Sequence, residues 1–200
     1  IKDVSNISKK MPNLSDFQSI ALKKIDNYFK NGTSLLLHGV TGSGKTEIYI
    51  QLIAQQLKKN KKILYLLPEI AITTQIIQRL QSFFGNRVGV YHSRFSLAER
   101  TELWYSMMNE KLHQYDIILG ARSAIFLPFK DLGLIIVDEE HETSYKQIDP
   151  SPRYNARDVA SKMTQIHNAK LLLGSATPSM EMMELVEQKK IGYVVLDKRY

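Results

Sequence analysis

The sequence predicts an α/β protein with a mostly parallel β-sheet and helices on both faces of that sheet. Short runs of wholly apolar residues recur along the chain, and stretches with the apolar spacing of a helix separate most of them. Such runs are typical of strands buried on both faces, which is the setting of a parallel sheet. The 200 residues are 44% hydrophobic and 24% charged, a composition that provides one substantial core.

Seven strands are predicted in chain order. They cover residues 34–38, 63–67, 87–92, 116–120, 134–138, 171–174 and 193–196. The clearest helical spacing covers residues 46–57, 70–83 and 97–112. The one long loop that we expect covers residues 147–152, and the sequence has neither an internal repeat nor a low-complexity segment. We therefore expect residues 1–200 to form a single domain.

Composition restricts the classes of partner and of site. The formal net charge of +7 indicates an anionic partner, although lysines that only solubilise helix surfaces explain each local cluster equally well. The absence of cysteine excludes disulfides and thiolate metal sites. No apolar run in the sequence approaches the length of a membrane span, so we expect no membrane partner and a cytoplasmic location.

Residues 39–46 match the phosphate-binding pattern G-x-x-x-x-G-K-[ST] between a predicted strand and a predicted helix. Backbone N–H groups of such a loop point at phosphate oxygens, its lysine reaches the β- and γ-phosphates, and its threonine holds Mg²⁺. A flexible glycine turn without a ligand is the alternative, which the complete pattern disfavours. The predicted nucleotide-binding residues are Gly39, Val40, Thr41, Gly42, Ser43, Gly44, Lys45 and Thr46.

Two carboxylates lie at the end of the predicted strand at residues 134–138. Asp138 ends the apolar run and is expected to bind Mg²⁺, and Glu139 is expected to orient or deprotonate an attacking water. The alternative is an acidic helix N-terminus that is favoured only by the helix dipole. Because parallel strands bring their carboxyl ends to one edge of the sheet, we expect these carboxylates beside the phosphate-binding loop.

Six motifs in order resemble those of superfamily 2 helicases. They are GVTGSGKTE, LLPEIAITTQ, GARSAIFLPF, VDEEHETSYKQ, RYNARDVA and GSATPS, and more narrowly they are similar to those of the bacterial replication-restart helicases. The resemblance implies a RecA-like P-loop NTPase lobe that binds ATP and Mg²⁺. It also implies a DNA helicase activity that couples ATP hydrolysis to movement on single-stranded DNA during replication restart and primosome assembly.

The resemblance assigns further roles to single residues. Gln18 resembles a glutamine that reads the adenine base, although Ser15 and Gln18 also fit a capping box. His141 is expected to relay the state of the nucleotide through Ser175 or Thr177, and simple pairing with neighbouring acids is the alternative.

A stretch that mixes tyrosine with cations follows the acidic motif. Stacking of bases on aromatic rings together with neutralisation of phosphates is typical of single-stranded nucleic acid binding. The alternative is a solvated loop whose tyrosines fold back on the core. The residues expected to bind DNA or to couple DNA binding to hydrolysis are Arg122, Tyr145, Lys146, Arg153, Tyr154 and Arg157, together with Ser175 and Thr177.

The resemblance also predicts what lies outside this chain. We expect a second helicase lobe, a zinc element with cysteine ligands and a separate N-terminal DNA-binding domain in the parent protein. We therefore expect little ATP turnover from this lobe alone, because the resemblance places the catalytic arginine in the second lobe. The only candidates near the site in this chain, Arg122 and Arg157, belong to a DNA-facing motif and to the segment after the sensing loop. The expected partners are single-stranded and forked DNA, primosome proteins and single-strand-binding proteins, at the bacterial nucleoid.

Two other classes remain open on the sequence. An ATP-driven DNA translocase of another superfamily 2 family, such as the restriction-enzyme type, shares the nucleotide motifs but need not share the SYKQ and RYNARD stretches. A non-catalytic module that binds partners in response to nucleotide is the second alternative, and the presence of Glu139 counts against it.

Overall fold

A computed structural model describes residues 11–92, 95–109 and 115–198. The seven strands of its main sheet are β1 Ser34–Gly39, β2 Lys62–Leu66, β3 Val88–Tyr91, β4 Ile117–Gly120, β5 Leu132–Asp138, β8 Lys170–Ser175 and β9 Gly192–Leu196. Their order in the sheet is β3-β4-β2-β5-β8-β1-β9, and all neighbouring pairs are parallel. Each predicted strand is confirmed to within two residues at either end.

In the described part of the chain, six helices cover the two faces of the sheet. They are α1 Asp16–Tyr28, α2 Lys45–Lys58, α3 Thr74–Phe84, α4 Leu97–Met108, α5 Ala156–His167 and α6 Met180–Glu187. Helices α1, α2 and α3 pack on one face around Leu35 and Leu37, while α4, α5 and α6 pack on the other around Leu36 and Leu64. Alternate residues of one strand thus enter opposite cores, which explains why the strands are apolar throughout. The predicted α/β fold with helices on both faces is confirmed.

One predicted helix begins later than its apolar spacing suggested. Helix α3 starts at Thr74 because Pro68 precedes a short 3₁₀ turn, Glu69–Ala71, and the Thr73 hydroxyl then accepts a hydrogen bond from Ile76 N. Helix α4 begins at Leu97 as predicted, behind a capping box formed by Ser96 and Glu99. The helix ends at Met108, earlier than the predicted end at residue 112, because Asn109 has an extended backbone; residue 112 itself lies outside the described residues.

The expected loop at residues 147–152 connects two short antiparallel strands, β6 Lys146–Gln147 and β7 Tyr154–Asn155. This small hairpin follows the carboxyl end of β5. Within residues 11–92, 95–109 and 115–198, no helix has both the length and the apolar composition that a membrane span requires.

Candidate active site at the carboxyl ends of the strands

The loop between β1 and α2 has the conformation that its glycines predicted. Gly42 and Gly44 have φ of 78° and 79°, in the left-handed region that other residues rarely adopt. A Cβ on Gly39 would lie 2.8 Å from the Ser43 hydroxyl oxygen, so the loop closes tightly on its own first residue. The Ser43 hydroxyl is itself buried and has no hydrogen-bond partner in the described part of the chain. The loop therefore forms a compact backbone cradle at the N-terminus of α2.

The cradle and the acidic motif meet in one cleft of about 340 Å³. The cleft is lined by residues 40–47, by Arg79 and by the two carboxylates Asp138 and Glu139. Lys45 is buried within it, where Nζ donates to Gly39 O at 2.8 Å and lies 3.8 Å from Glu139 Oε1. Because β5, β8 and β1 are neighbours in the sheet of the described residues, the fold brings together two motifs about 90 residues apart in the chain, as predicted.

Asp138 is surrounded by tyrosine hydroxyls that the sequence analysis did not identify. Tyr49 donates to Asp138 Oδ1 at 2.9 Å and Tyr65 donates to Oδ2 at 3.1 Å. Burial and the neighbouring Glu139 carboxylate raise the pKa of Asp138, while the hydrogen bond from Tyr49 and the charge of Lys45 oppose that rise. Burial, and then the charge of Asp138, raise the pKa of both phenols well above the ordinary value, so each remains a donor.

Glu139 has a left-handed backbone conformation with φ of 48°. This region is unfavourable for a residue with a side chain, and such conformations cluster at functional sites. Its side chain is 35% exposed at the mouth of the cleft. Glu139 therefore presents a solvent-accessible carboxylate beside Lys45, an arrangement suited to contact with a water molecule.

The oxygen donors of the cleft fit a magnesium ion bound together with phosphates. Mg²⁺ prefers oxygen ligands and is usually held by one or two carboxylates together with substrate phosphates. The cleft supplies the hydroxyl of Thr46 and the carboxylate of Asp138, the residues predicted as metal ligands. Among the described residues, no group of three or more His, Cys, Asp or Glu side chains could hold a metal by itself. Protein ligands alone therefore do not complete this site.

Arg79 is a cleft residue that the sequence analysis missed. It projects from α3 and forms an ion pair with Glu47, in the first turn of α2. The expectation that only Arg122 and Arg157 were arginine candidates near the site is therefore wrong. The spacing of α3 gave no signal for this contact, because Arg79 and Glu47 are 32 residues apart and meet only through tertiary packing.

Gln18 is buried beneath the phosphate-binding loop. Its side chain completes the predicted capping box with Ser15, accepting from Ser15 N at 2.8 Å, and its amide nitrogen donates to Ser43 O at 3.2 Å. Gln18 is only 1% exposed. The structure therefore shows the capping role and a contact with the loop, and adenine recognition stays a prediction.

His141 lies against the end of β8 in the predicted arrangement. Its Nδ1 is 2.8 Å from the Ser175 hydroxyl oxygen, and that oxygen accepts from Thr177 N at 3.0 Å. His141 Nδ1 also lies 3.7 Å from Glu139 Oε2. The structure thus connects Glu139 to the turn that follows β8 through His141, and the relay itself stays a prediction.

Tyr145 has a different position from the one expected of a DNA-stacking residue. Its ring is 1% exposed, and its hydroxyl donates to the backbone oxygen of Asp138 at 2.6 Å. A buried ring cannot stack on a base, so the stacking role predicted for Tyr145 is wrong for this structure. Its contact with Asp138 leaves the coupling role as a prediction.

The side chain of Arg157 is also largely buried. Its Nη1 lies 2.7 Å from Glu140 Oε2 and its Nη2 lies 2.8 Å from Glu181 Oε2, with the side chain 11% exposed. Glu140 is fully buried and also accepts from Ser179 N at 2.7 Å. A phosphate contact by Arg157 was a wrong prediction, because two carboxylates already neutralise its charge. Sequence analysis missed Glu140, which connects β5 to the start of α6.

The other predicted DNA contacts differ in how accessible they are. Arg122 donates to the carbonyl oxygens of Ser144 at 3.2 Å and Lys146 at 3.3 Å, so it fixes the start of the hairpin. Lys146 and Arg153 are exposed, and Tyr154 is half-buried with its ring 4.8 Å from that of Phe126. These three side chains retain the exposure that contact with DNA requires.

The chain is similar in sequence to part of several replication restart proteins. The chain is 50% identical over 148 residues to the replication restart protein PriA of Bacillus subtilis, which covers 73% of this chain and 18% of that protein. It is 43% identical over 195 residues to PriA of Rickettsia felis, covering 98% of this chain and 29% of that protein. The chain thus spans less than a third of the length of these relatives.

Solved structures with a similar fold include helicases. RecG bound to a three-way DNA junction matches with a TM-score of 0.67 and 22% identity over 96% of this chain and 26% of RecG. A hypothetical ATP-dependent RNA helicase from Sulfolobus tokodaii matches with a TM-score of 0.63 and 18% identity over 94% of this chain and 53% of its own. At these identities the likeness supports the fold alone, and it confirms the predicted RecA-like lobe.

The family model for DEAD/DEAH box helicases matches residues 15–185. That range begins at the capping box of α1 and extends into α6, so it includes the phosphate-binding loop, the acidic motif and the turn after β8. Since the match spans the whole cleft and most of the sheet, the chain belongs to the DEAD/DEAH box helicase family.

Proposed function

We propose that this chain is the ATP-binding lobe of an ATP-dependent DNA helicase that acts in replication restart and primosome assembly. The observation that carries the proposal is the single cleft in which Lys45, Asp138 and Glu139 converge. The identity to PriA proteins over most of the chain supports the choice of pathway. We further propose that residues 1–200 form one lobe, and that a second lobe, a zinc element and an N-terminal DNA-binding domain belong to the parent protein.

Each part of the cleft has a distinct task in this proposal. The N–H groups of the loop and the ammonium of Lys45 bind the phosphates of ATP, because they form a positive cradle at a helix N-terminus. Thr46 and Asp138 would hold Mg²⁺, which when bound neutralises charge on the phosphates. Glu139 orients the attacking water, since its carboxylate is the accessible one of the pair.

The surface beside the cleft is proposed to bind single-stranded or forked DNA. Lys146 and Arg153 supply exposed positive charge, and Tyr154 supplies a partly exposed ring. Arg122 donates a hydrogen bond to the start of the hairpin that carries these side chains. A displacement of the hairpin by DNA is therefore transmitted to Tyr145 and, through the hydrogen bond of its hydroxyl, to Asp138. We propose the bacterial cytoplasm, at the nucleoid, as its location, and primosome and single-strand-binding proteins as partners of the parent protein.

Calorimetry with MgADP tests the nucleotide site. Lys45→Ala should weaken binding about 10- to 100-fold, because an ammonium bonded to phosphate contributes roughly 1.5–3 kcal/mol. Lys58→Ala is the matched control, since Lys58 is an exposed lysine at the other end of the same helix. Equal affinities of the two variants would reject the cleft as the nucleotide site.

A further inference from the structure

Three buried tyrosines from three different elements hold Asp138. Tyr49 on α2 and Tyr65 on β2 donate to its two carboxylate oxygens at 2.9 and 3.1 Å. Tyr145 donates to its backbone oxygen at 2.6 Å. All three rings are at most 1% exposed, so these hydroxyls have no access to bulk water as an alternative partner. We call Tyr49 and Tyr65 the phenol clamp.

The backbone of β8 leaves room for this clamp at one position. A Cβ on Gly174 would lie 1.8 Å from the Tyr49 hydroxyl oxygen and 3.0 Å from Asp138 Oδ1. Any larger residue would therefore displace the hydroxyl from the carboxylate. Gly174 lies near the end of β8 and is the first residue of the GSATPS motif, so the packing of that motif and the clamp depend on each other.

The rings of the clamp support each other as well. Tyr49 and Tyr65 pack edge to face, with ring centroids 5.6 Å apart and an interplanar angle of 81°. Two fully buried rings that contact each other in this way leave their hydroxyls little freedom, because protein interiors are closely packed. The clamp therefore restricts the Asp138 carboxylate to one orientation.

The two carboxylate oxygens of Asp138 differ in how many hydrogen bonds they accept from the described residues. A carboxylate oxygen has two acceptor positions. Oδ1 accepts from the Tyr49 hydroxyl and from Glu139 N at 3.1 Å, which fills both. Oδ2 accepts from Tyr65, the one donor to it among the described residues, and keeps a second position. Oδ2 is thus the oxygen that can serve a ligand in the cleft.

We propose that Tyr49 and Tyr65 are positioning residues that hold Asp138 so that its Oδ2 faces a nucleotide-bound Mg²⁺. This inference rests on the proposed function, since it needs a nucleotide in the cleft. The two phenols act through Asp138 and touch neither the nucleotide nor the metal. A group that fixes a metal-binding carboxylate typically affects metal affinity 10- to 100-fold.

The test measures binding of a fluorescent ADP to the chain across a Mg²⁺ titration and in EDTA. Tyr49→Phe and Tyr65→Phe keep the ring and remove only the hydroxyl. Each substitution should raise the Mg²⁺ concentration that gives the half-maximal change in ADP binding about 10-fold. The affinity for ADP in EDTA should stay unchanged. Tyr193→Phe is the matched control, because it removes the hydroxyl of a tyrosine on the edge strand β9 that is hydrogen-bonded to His38 at 2.8 Å instead of to Asp138.

A second comparison asks whether the clamp acts through Asp138. In an Asp138→Asn background, Tyr65→Phe should have no further effect on the Mg²⁺ dependence. An unchanged Mg²⁺ titration in both single variants would overturn the proposal, and so would an equal loss of affinity with and without Mg²⁺, which marks a purely structural role. If the proposed function is wrong, the unsubstituted chain will not bind the fluorescent ADP in Mg²⁺ or in EDTA, and this result differs from both outcomes above.

Discussion

The phosphate-binding loop, residues 39–46, and the segment after β5, residues 143–157, differ in how their residues acquire their positions. The loop adopts the conformation that its glycines require, and Lys45 lies in the cleft as expected. In the segment, Tyr145 and Arg157 are turned into the core while Lys146 and Arg153 are exposed. All four residues matched the same expectation of DNA contact.

The difference reflects what each function needs. A phosphate site is built from contiguous backbone N–H groups, so a short motif specifies it almost completely. Contact with DNA needs exposed side chains, and exposure depends on which partners other elements supply. The ion pair with Glu140 holds the Arg157 side chain away from the surface, and the hydrogen bond to the Asp138 backbone oxygen holds Tyr145 in the core.

The largest effect concerns turnover by the isolated chain. We expect ATP hydrolysis about 10³- to 10⁵-fold slower than that of a protein with both helicase lobes, because a catalytic arginine contributes that much to phosphoryl transfer. Steady-state ATPase with saturating single-stranded DNA measures it. Rapid turnover that is abolished by Lys45→Ala would instead identify a cation within this chain, and Arg79→Ala would then test the arginine that lines the cleft.

Within the cleft, Glu139→Gln should separate binding from hydrolysis. In a protein with both lobes, we expect turnover to fall about 10²- to 10⁴-fold, since the amide keeps the shape but cannot accept a proton. MgATP affinity should stay close to that of the parent. Glu142→Gln is the control, because it removes a partly exposed carboxylate from the same turn. Unchanged turnover in Glu139→Gln would place the water-orienting group elsewhere.

In the segment after β5, two arginines provide a matched comparison of stability. Arg157→Ala leaves the fully buried Glu140 without its cation, and we expect a loss of about 3–5 kcal/mol in the free energy of unfolding. Arg153→Ala removes an exposed arginine and should change the free energy of unfolding by less than about 0.5 kcal/mol. Urea unfolding followed by circular dichroism measures both. Similar values for the two variants would contradict the assignment of Arg157 to the core.

Two tyrosines provide the corresponding comparison for DNA. Tyr154→Ala should weaken single-stranded DNA binding by about 1–3 kcal/mol, which is typical of one stacked base. Tyr145→Phe should leave DNA affinity unchanged, because its ring is buried and only the hydrogen bond to Asp138 is lost. Fluorescence anisotropy at fixed salt distinguishes them. A loss only in Tyr145→Phe would mean that the Tyr145 hydroxyl, rather than a stacked ring of Tyr154, supports DNA binding.

Much of the fold could be predicted because its signals are local. Among the described residues, the five wholly apolar runs match the five inner strands of the sheet, since strands buried on both faces must be apolar throughout, whereas the edge strands β3 and β9 are partly exposed. Strand order was not predicted, because the runs are too similar in composition to specify their neighbours. The convergence of Lys45 with Asp138 was predictable only because parallel strands present their carboxyl ends at one edge.

The sequence by itself determined the strands, the phosphate-binding loop and the identity of the acidic motif. The tertiary structure alone decided that Tyr49 and Tyr65 hold Asp138, that Arg79 lines the cleft and that Glu140 binds Arg157. The physical reason is the distance along the chain between the partners. Glycine conformations and apolar runs act over a few neighbouring residues, whereas the hydrogen bond from Tyr49 to Asp138 joins residues 89 positions apart. Such a contact exists only after the sheet has assembled and burial has removed water as the competing partner.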